Sequence, residues 1–175
     1  NNYKESKKDI CSMRGFTPLY QIDKIVNARN NSSNKFNIKF IYPFYEHSYK
    51  SEVIEKFENG DEDLGRLNRI EMYKLFLSSK LIISIPLSDS SPRSVYEAIF
   101  CGSCIAAVYN PWIEKLPDCM KQRIYIVDLN NKNWFEEAVK FSENNTENVY
   151  HPSKEAIDMF DENKTMMDAI DKLYS

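Results

Sequence analysis

Hydrophobic and polar positions along the chain fall into apolar runs of strand length that alternate with stretches of helical spacing. The apolar runs predict strands at 8–13, 36–42, 81–86, 104–109 and 123–128. Between most of these runs, apolar residues recur every three or four positions, as they do on the buried face of a helix. The alternation indicates βαβ units and predicts an α/β fold, a Rossmann-like and mostly parallel sheet flanked by helices.

The helices that follow the first two strands have recognisable starts. Thr17 and Pro18 are predicted to open the first helix, and a polar helix is predicted near 49–58. The segment ENGDED that comes next is predicted to be a turn. Asn68 with Glu71 three residues later fits a capping box, so a further helix begins there. The residues expected to face the core are Leu19, Ile22, Ile25 and Val26 in the first helix, and Ile70, Tyr73, Phe76 and Leu77 in the capped one.

The run at 81–86, LIISIP, is almost continuously apolar, which is typical of a central parallel strand covered on both faces. The residues that line one side of the following helix are Val95, Ala98 and Ile99. Gly102 then supplies a left-handed stop. Two helices are predicted at 132–143 and 153–173. The apolar face of the last one consists of Ile157, Phe160, Met167, Ile170 and Leu173.

Composition narrows the class of protein. A chain of 175 residues with 42% hydrophobic residues suits one domain that buries roughly two-thirds of its unfolded surface. The net charge of −3, with both signs interspersed, predicts no nucleic-acid partner. The apolar runs are far shorter than the ~20 residues of a membrane span, and the polar start lacks a signal-peptide segment, so we expect a cytoplasmic protein with reduced thiols. Because the chain opens in charged sequence without Met, we also expect that it was cut from a longer protein.

The loop after the central strand is the favoured place for a ligand, because open α/β sheets bind ligands outside the carboxyl ends of their strands. Ser91 is predicted to cap the next helix, with Pro92 at its first position. The amides of Arg93 and Ser94 then point outward at the positive end of that helix. The Arg93 guanidinium and the hydroxyls of Ser90, Ser91 and Ser94 could bind phosphate oxygens. Plain capping without a ligand is the alternative.

Two carboxylates, Asp89 and Glu97, flank this anion site. They would repel a phosphate unless they accept hydrogen bonds from neutral hydroxyl groups, which ribose and hexose provide. A nucleotide sugar, with a sugar on each side of a diphosphate, satisfies both the anion site and the carboxylates. Taken singly, Asp89 also fits a turn aspartate, and Glu97 an exposed helix glutamate.

Asp89, seven intervening residues, Glu97, the segment AIFCG and the strand CIAAV together resemble a known signature. The pattern is similar to the C-terminal, donor-binding domain of retaining GT-B glycosyltransferases, especially glycosyltransferase family 4. The likeness is close over 64–108 and loose over 9–128. It implies a single nucleotide-sugar-binding domain over 1–175, whose C-terminal helices occupy 145–175, with the N-terminal acceptor domain absent.

The resemblance also implies roles for particular residues. Glu97 would hold the ribose hydroxyls, Asp89 the donor sugar, and Arg14 would neutralise the diphosphate. Residues matching the loop near the base are Gly65, Arg66 and Leu67, and the amides matching the distal phosphate site are those of Ser94 and Val95. The family lysine that usually follows the arginine is missing here, and Arg93 is the expected substitute.

The implied reaction is transfer of a hexosyl unit, with retention, from a nucleoside diphosphate sugar to a polysaccharide or glycolipid acceptor. Arg14 and the helix amides would stabilise the charge on the leaving diphosphate, so neither a metal ion nor another cofactor is expected. His47 and His151 stand alone in polar sequence, which predicts no metal site. The full-length enzyme is expected at the cytoplasmic face of the membrane, bound peripherally, and the isolated domain is expected to be inactive.

Other readings remain open. Cys101 and Cys104 form a C-x-x-C, which can be a redox dithiol or half of a zinc site, although no second pair completes the latter. A flavodoxin-like or receiver module, or a degenerate glycosyltransferase lobe, would act in protein interaction, but the acids that a receiver needs after its first strand are replaced by Arg14. Core packing explains most of the aromatic run FIYPFYEHSYK, from which Phe44 or Tyr45 could approach a ligand.

Overall fold

The computed structural model describes residues 7–89 and 92–161. In this part of the chain six strands form one sheet, all parallel, in the order β3-β2-β1-β4-β5-β6. The strands are β1 (Asp9–Ser12), β2 (Lys39–Ile41), β3 (Glu62–Gly65), β4 (Ser79–Ser84), β5 (Cys104–Val108) and β6 (Ile124–Val127). The predicted α/β, Rossmann-like class is confirmed.

Helices cover both faces of the sheet. They are α1 (Ile22–Asn30), α2 (His47–Ile54), α3 (Arg69–Ser78), α4 (Arg93–Phe100), α5 (Pro111–Glu114), α6 (Asp118–Lys121), α7 (Trp134–Thr146) and α8 (Lys154–Met159). One apolar cluster packs α1, α2 and α7 on one face, and a second packs α3, α4, α5, α6 and α8 on the other. Of the described helices, none is long and apolar enough to cross a membrane.

The prediction of a buried central strand is confirmed in β4. It lies between β1 and β5, and Leu81, Ile82 and Ile83 are fully buried. The predicted core residues of α4 are buried as well: Val95, Ala98 and Ile99. Gly102 follows this helix at φ 83°, the left-handed conformation expected of a glycine stop.

The predicted first helix is wrong in its start. Pro18–Tyr20 form only a 3-10 turn, and α1 begins at Ile22. Between them Gln21 adopts φ 54°, a left-handed conformation that breaks the helical path. Leu19 consequently lies outside the helix with 42% of its surface exposed, and its carbonyl accepts the amide of Leu87 instead.

The segment ENGDED is a turn only in its first half, because its last residues enter β3. An edge strand with charged residues has no apolar alternation, so the sequence pattern did not reveal it. A buried ion pair fixes the turn. The Arg29 guanidinium donates two hydrogen bonds to the Asp61 carboxylate, and each is 2.5 Å long. The helix predicted near 49–58 is α2, which begins earlier, at His47, and ends at Ile54.

The capping box of α3 is confirmed. Asn68 Oδ1 accepts the amide of Glu71 at 3.0 Å, and the Glu71 carboxylate accepts the amide of Asn68 at 2.9 Å. The predicted inward face is partly wrong, because Ile70 and Leu77 are 69% and 57% exposed. The buried stripe is rotated toward Leu75 and Phe76, because α3 packs against β4 and α4.

The C-terminal helices are confirmed in part. α7 ends three residues later than predicted, at Thr146, while Ile157 of α8 is 53% exposed rather than buried. Met167, Ile170 and Leu173 of the predicted last helix lie outside the described residues. The short helices α5 and α6 were not predicted.

Candidate functional site

A cleft of about 200 Å³ opens at the carboxyl edge of the sheet. Its walls come from the loops after β1, β2 and β3 and from the first turn of α4. The lining includes Arg14, Gly15, Phe44, Arg66, Leu67 and Ser94. Four residues predicted for the ligand site, Arg14, Arg66, Leu67 and Ser94, therefore meet in one carboxyl-edge cleft.

Arg14 is held in place by two side chains from the end of β4 and the loop beyond it. Its Nε donates to Ser84 Oγ at 2.8 Å, and its terminal nitrogen lies 2.5 Å from Asp89 Oδ2. The Arg14 guanidinium also lies 5.8 Å from the centre of the Tyr20 ring. Arg14 and Asp89, which were predicted to bind different parts of the donor, are thus in direct contact. The sequence prediction did not include Ser84 in the site. Its hydroxyl stands alone inside the apolar run LIISIP, and such an isolated polar group is a signal that could have indicated a role.

Glu97 faces α3 through contacts that sequence reasoning missed. Its Oε1 accepts from the Arg69 guanidinium and from the Tyr73 hydroxyl, both at 3.0 Å. Arg93, one helical turn earlier, lies 3.5 Å from the same oxygen. The Arg69 and Tyr73 contacts depend on the packing of α3 against α4, for which the sequence carries no local signal.

The Asp89 backbone is tied to the loop after β5. Its carbonyl accepts the side-chain amide of Asn110 at 2.8 Å. Asn110 in turn caps α5, because its Oδ1 accepts the amide of Trp112 at 3.3 Å. Asp89 and Glu97 therefore belong to separate polar clusters, one centred on Arg14 and the other on α3.

The start of α4 differs from the prediction. Pro92 is the cap residue, with ψ 81°, and Arg93 is the first helical residue. The Pro92 carbonyl accepts the amide of Val95 at 2.9 Å, so this amide is already bonded, whereas Ser94 lines the cleft. Ser90 and Ser91, and hence the predicted Ser91 cap, lie outside the described residues.

The loop after β3 reaches the cleft through a glycine. Gly65 adopts φ 63°, and its carbonyl accepts the amide of Tyr42 at 3.0 Å. Arg66 and Leu67 follow and line the cleft. The role of this loop near a nucleotide base stays a prediction.

Phe44 closes the cleft on the side of β2. It is the member of the predicted aromatic pair, Phe44 and Tyr45, that lines this space. A Cβ atom at Gly15 would lie 2.7 Å from Cε2 of Phe44, so the ring packs directly on the glycine backbone. A larger residue at position 15 would require the Phe44 ring to shift from this place in the cleft wall.

The cysteine pair lacks the environment of a redox dithiol. Burial raises the pKa of the Cys101 thiol and of the Cys104 thiol, whereas reactive dithiols need a lowered pKa. No cluster of three or more His, Cys, Asp or Glu side chains suited to a metal ion occurs within 7–89 and 92–161.

The fold is that of one lobe of GT-B glycosyltransferases, as comparison with solved structures shows. AviGT4, a glycosyltransferase involved in avilamycin A biosynthesis, matches 95% of this chain with a TM-score of 0.68 at 12% identity. HepE from Anabaena, solved with UDP-glucose, matches 81% with a TM-score of 0.64 at 12% identity. The catalytic domain of cholesterol-α-glucosyltransferase from Helicobacter pylori matches 78% with a TM-score of 0.59 at 14% identity.

The matched region covers 50% of the AviGT4 chain, 41% of the HepE chain and 87% of the Helicobacter pylori domain. No family model and no curated protein matches the sequence. The expected GT-B resemblance is therefore confirmed at the level of the fold.

Proposed function

We propose that this chain is the donor-binding domain of a retaining glycosyltransferase that takes a hexosyl unit from a nucleoside diphosphate sugar. One observation carries the proposal: Arg14, oriented by Ser84 and Asp89, lies in a cleft at the carboxyl edge of the sheet beside the start of α4. A cation and a helix N-terminus at one cleft suit a diphosphate. The fold neighbours that are glycosyltransferases, one of them with UDP-glucose, support the choice of ligand.

In the proposed reaction negative charge grows on the leaving diphosphate as the bond to the sugar breaks. Arg14 would stabilise that charge, and its two fixed contacts mean that it is oriented before the reaction starts. Ser94 would contribute its amide at the distal phosphate, and no step is assigned to a metal ion or another cofactor.

The two carboxylates would bind the sugars on either side of the diphosphate. Asp89 would accept from hydroxyls of the donor hexose, and Glu97 from those of the ribose. Glu97 Oε1 is already held by Arg69 and Tyr73, so the ribose would use Oε2 of the same carboxylate. This assignment keeps the contacts of Glu97 intact when the donor binds.

The acceptor, a polysaccharide or glycolipid in this proposal, would bind mainly to a second domain outside the 175 residues. AviGT4 is about twice as long as the region it shares with this chain, which supports such an arrangement. The complete enzyme would work in the cytoplasm, bound peripherally to the membrane face, and the domain alone would bind the donor without turnover.

Isothermal titration with UDP, GDP and ADP tests the proposal. At least one of them should bind, and Arg14→Ala should weaken that binding roughly 10- to 100-fold, the range expected for a hydrogen bond to a charged group. Lys121→Ala, which removes a cation paired with Asp118 on α6, is the matched control and should bind normally. A thermal melt of each variant confirms folding. Failure of all three nucleotides to bind would reject the donor-site proposal.

Protein interaction is the second candidate function, because large apolar side chains are exposed at the carboxyl edge. Leu19, Leu87 and Tyr109 expose 42%, 69% and 59% of their surface. A non-catalytic, flavodoxin-like or degenerate lobe could use this rim for docking to a partner. Such a module would bind none of the three nucleotides, so the same titration separates the two functions.

A further inference from the structure

The charges that line the carboxyl-edge cleft are unbalanced. Arg14 and Arg66 are its charged lining residues, and no carboxylate lines it among the described residues. Asp89 offsets the charge of Arg14 at 2.5 Å. Within 7–89 and 92–161, by contrast, no acidic side chain lies within ion-pair distance of Arg66. The cleft therefore carries one arginine whose charge is not offset, which favours an anionic ligand.

The backbone fixes where Arg66 starts. Gly65, just before it, is tied to β2 by the hydrogen bond from the Tyr42 amide at 3.0 Å. Asn68, two residues after it, is fixed by the capping box of α3. Only Arg66 and Leu67 lie between these two anchors, so the loop can present the arginine to the cleft with little backbone reordering.

Arg93, which the sequence suggested as the second phosphate cation, is placed differently. Its side chain is 66% exposed, and its Nε lies 3.5 Å from Glu97 Oε1. It belongs to the polar cluster of Glu97, Arg69 and Tyr73 between α3 and α4, and it does not line the cleft. Arg93 thus pairs with Glu97, while Arg66 lines the same cleft as Arg14.

We propose that Arg66 is the second cation of the diphosphate site, in the place of the lysine that the chain lacks. This inference rests on the proposed function, because it takes the ligand of the cleft to be a nucleoside diphosphate. A guanidinium can bind two phosphate oxygens at once, so Arg14 and Arg66 together can hold the diphosphate from two loops. The backbone of the Arg66 loop can still contact the base while its side chain turns to the phosphates.

Titration with ligands that differ in phosphate and base content tests this assignment. The probes are the best-binding nucleoside diphosphate, its monophosphate and inorganic pyrophosphate. The variants are Arg66→Ala, Arg66→Lys and Arg93→Ala, which removes the competing candidate, and Lys121→Ala is again the matched control. Arg66→Ala should lower the affinity for the diphosphate and for pyrophosphate roughly 10- to 100-fold, and that for the monophosphate less. Arg66→Lys should lower these two affinities less than Arg66→Ala does, because lysine keeps the positive charge but cannot bind two phosphate oxygens in the fixed geometry of a guanidinium. Arg93→Ala should change pyrophosphate binding less than threefold.

The outcomes separate the assignment from the function on which it rests. If the unmodified chain binds nucleoside diphosphates but Arg66→Ala binds pyrophosphate normally, Arg66 is not the second cation and the proposed function stands. An equal loss for monophosphate and diphosphate, with pyrophosphate unaffected, would place Arg66 at the base and overturn the assignment as well. If the unmodified chain binds none of the probes, both the proposed function and the assignment fail.

Discussion

The buried ion pair between Arg29 and Asp61 fixes the turn before β3. Removing the Asp61 carboxylate therefore measures how much this turn contributes to the stability of the domain. The Asp61 carboxylate accepts two bonds from Arg29, one from the amide of Ile38 at 2.9 Å and one from the amide of Glu58 at 2.8 Å. The side chains of Arg29 and Asp61 are 2% and 0% exposed. Asp61→Ala leaves the guanidinium buried without its counter-charge and two amides without their acceptor.

The expected cost is about 3–5 kcal/mol, the range for removing one partner of a buried ion pair. This is a large share of the ~5–15 kcal/mol that stabilises a typical domain. For a domain of this size the melting temperature should fall by roughly 6–20 °C. The pair lies at the edge of the sheet that carries β3, so the Gly65 loop should lose order before the central strands do.

Urea unfolding followed by tryptophan fluorescence measures this change, because Trp112 and Trp134 are buried on opposite faces of the sheet and report both layers. Asp118→Ala is the matched control: the Asp118 side chain is 91% exposed and its pair with Lys121 should contribute less than about 1 kcal/mol. A loss below about 1 kcal/mol in Asp61→Ala would refute the reasoning, because the pair would then behave like an exposed one.

Two further predictions concern charge. Asp89→Asn removes the carboxylate that offsets Arg14, so free nucleoside diphosphate should bind roughly two- to fivefold more tightly at low salt, and weaker binding by titration would contradict this. Burial lowers the pKa of Lys7 to about 8 from 10.5. Between these pH values the unfolded chain binds more protons than the folded one, so the cost of burying this lysine falls and stability rises as the pH rises. Urea unfolding at several pH values measures this effect. As the pH rises from about 8 to 10.5, the unfolding free energy of the unmodified chain should increase relative to that of Lys7→Met. A difference between the two chains that does not change with pH would rule the effect out.

The order and type of most elements could be predicted because they depend on local pattern. The apolar run of β4, the capping box of Asn68 and the glycine stop at Gly102 are all properties of neighbouring residues. β3 could not be predicted, because it is an edge strand whose residues, Glu62–Gly65, carry no apolar alternation. The start of α1 could not be predicted either, since the left-handed Gln21 gives no sequence signal of the kind that glycine provides.

The candidate site could be predicted in its members but not in its pairings. The position of Arg14 after the first strand and of Ser94 at the start of α4 follows from topology, because carboxyl ends of parallel strands share one edge. Which charged groups touch depends instead on side-chain reach across separate loops. The contact of Arg14 with Asp89, and that of Glu97 with Arg69, join residues 75 and 28 positions apart.

These pairings bear on how a donor would bind. Because Arg14 already has a carboxylate partner at 2.5 Å, a diphosphate that reaches it exchanges one charge-assisted contact for another and gains less net free energy than it would from an arginine without such a partner. The arginine without such a partner contributes more, since its contact with phosphate replaces water alone. On the proposed function, most of the electrostatic affinity would therefore come from Arg66, and Arg14 would act chiefly when charge grows on the leaving group. Arg66→Ala should then weaken ground-state binding more than Arg14→Ala does.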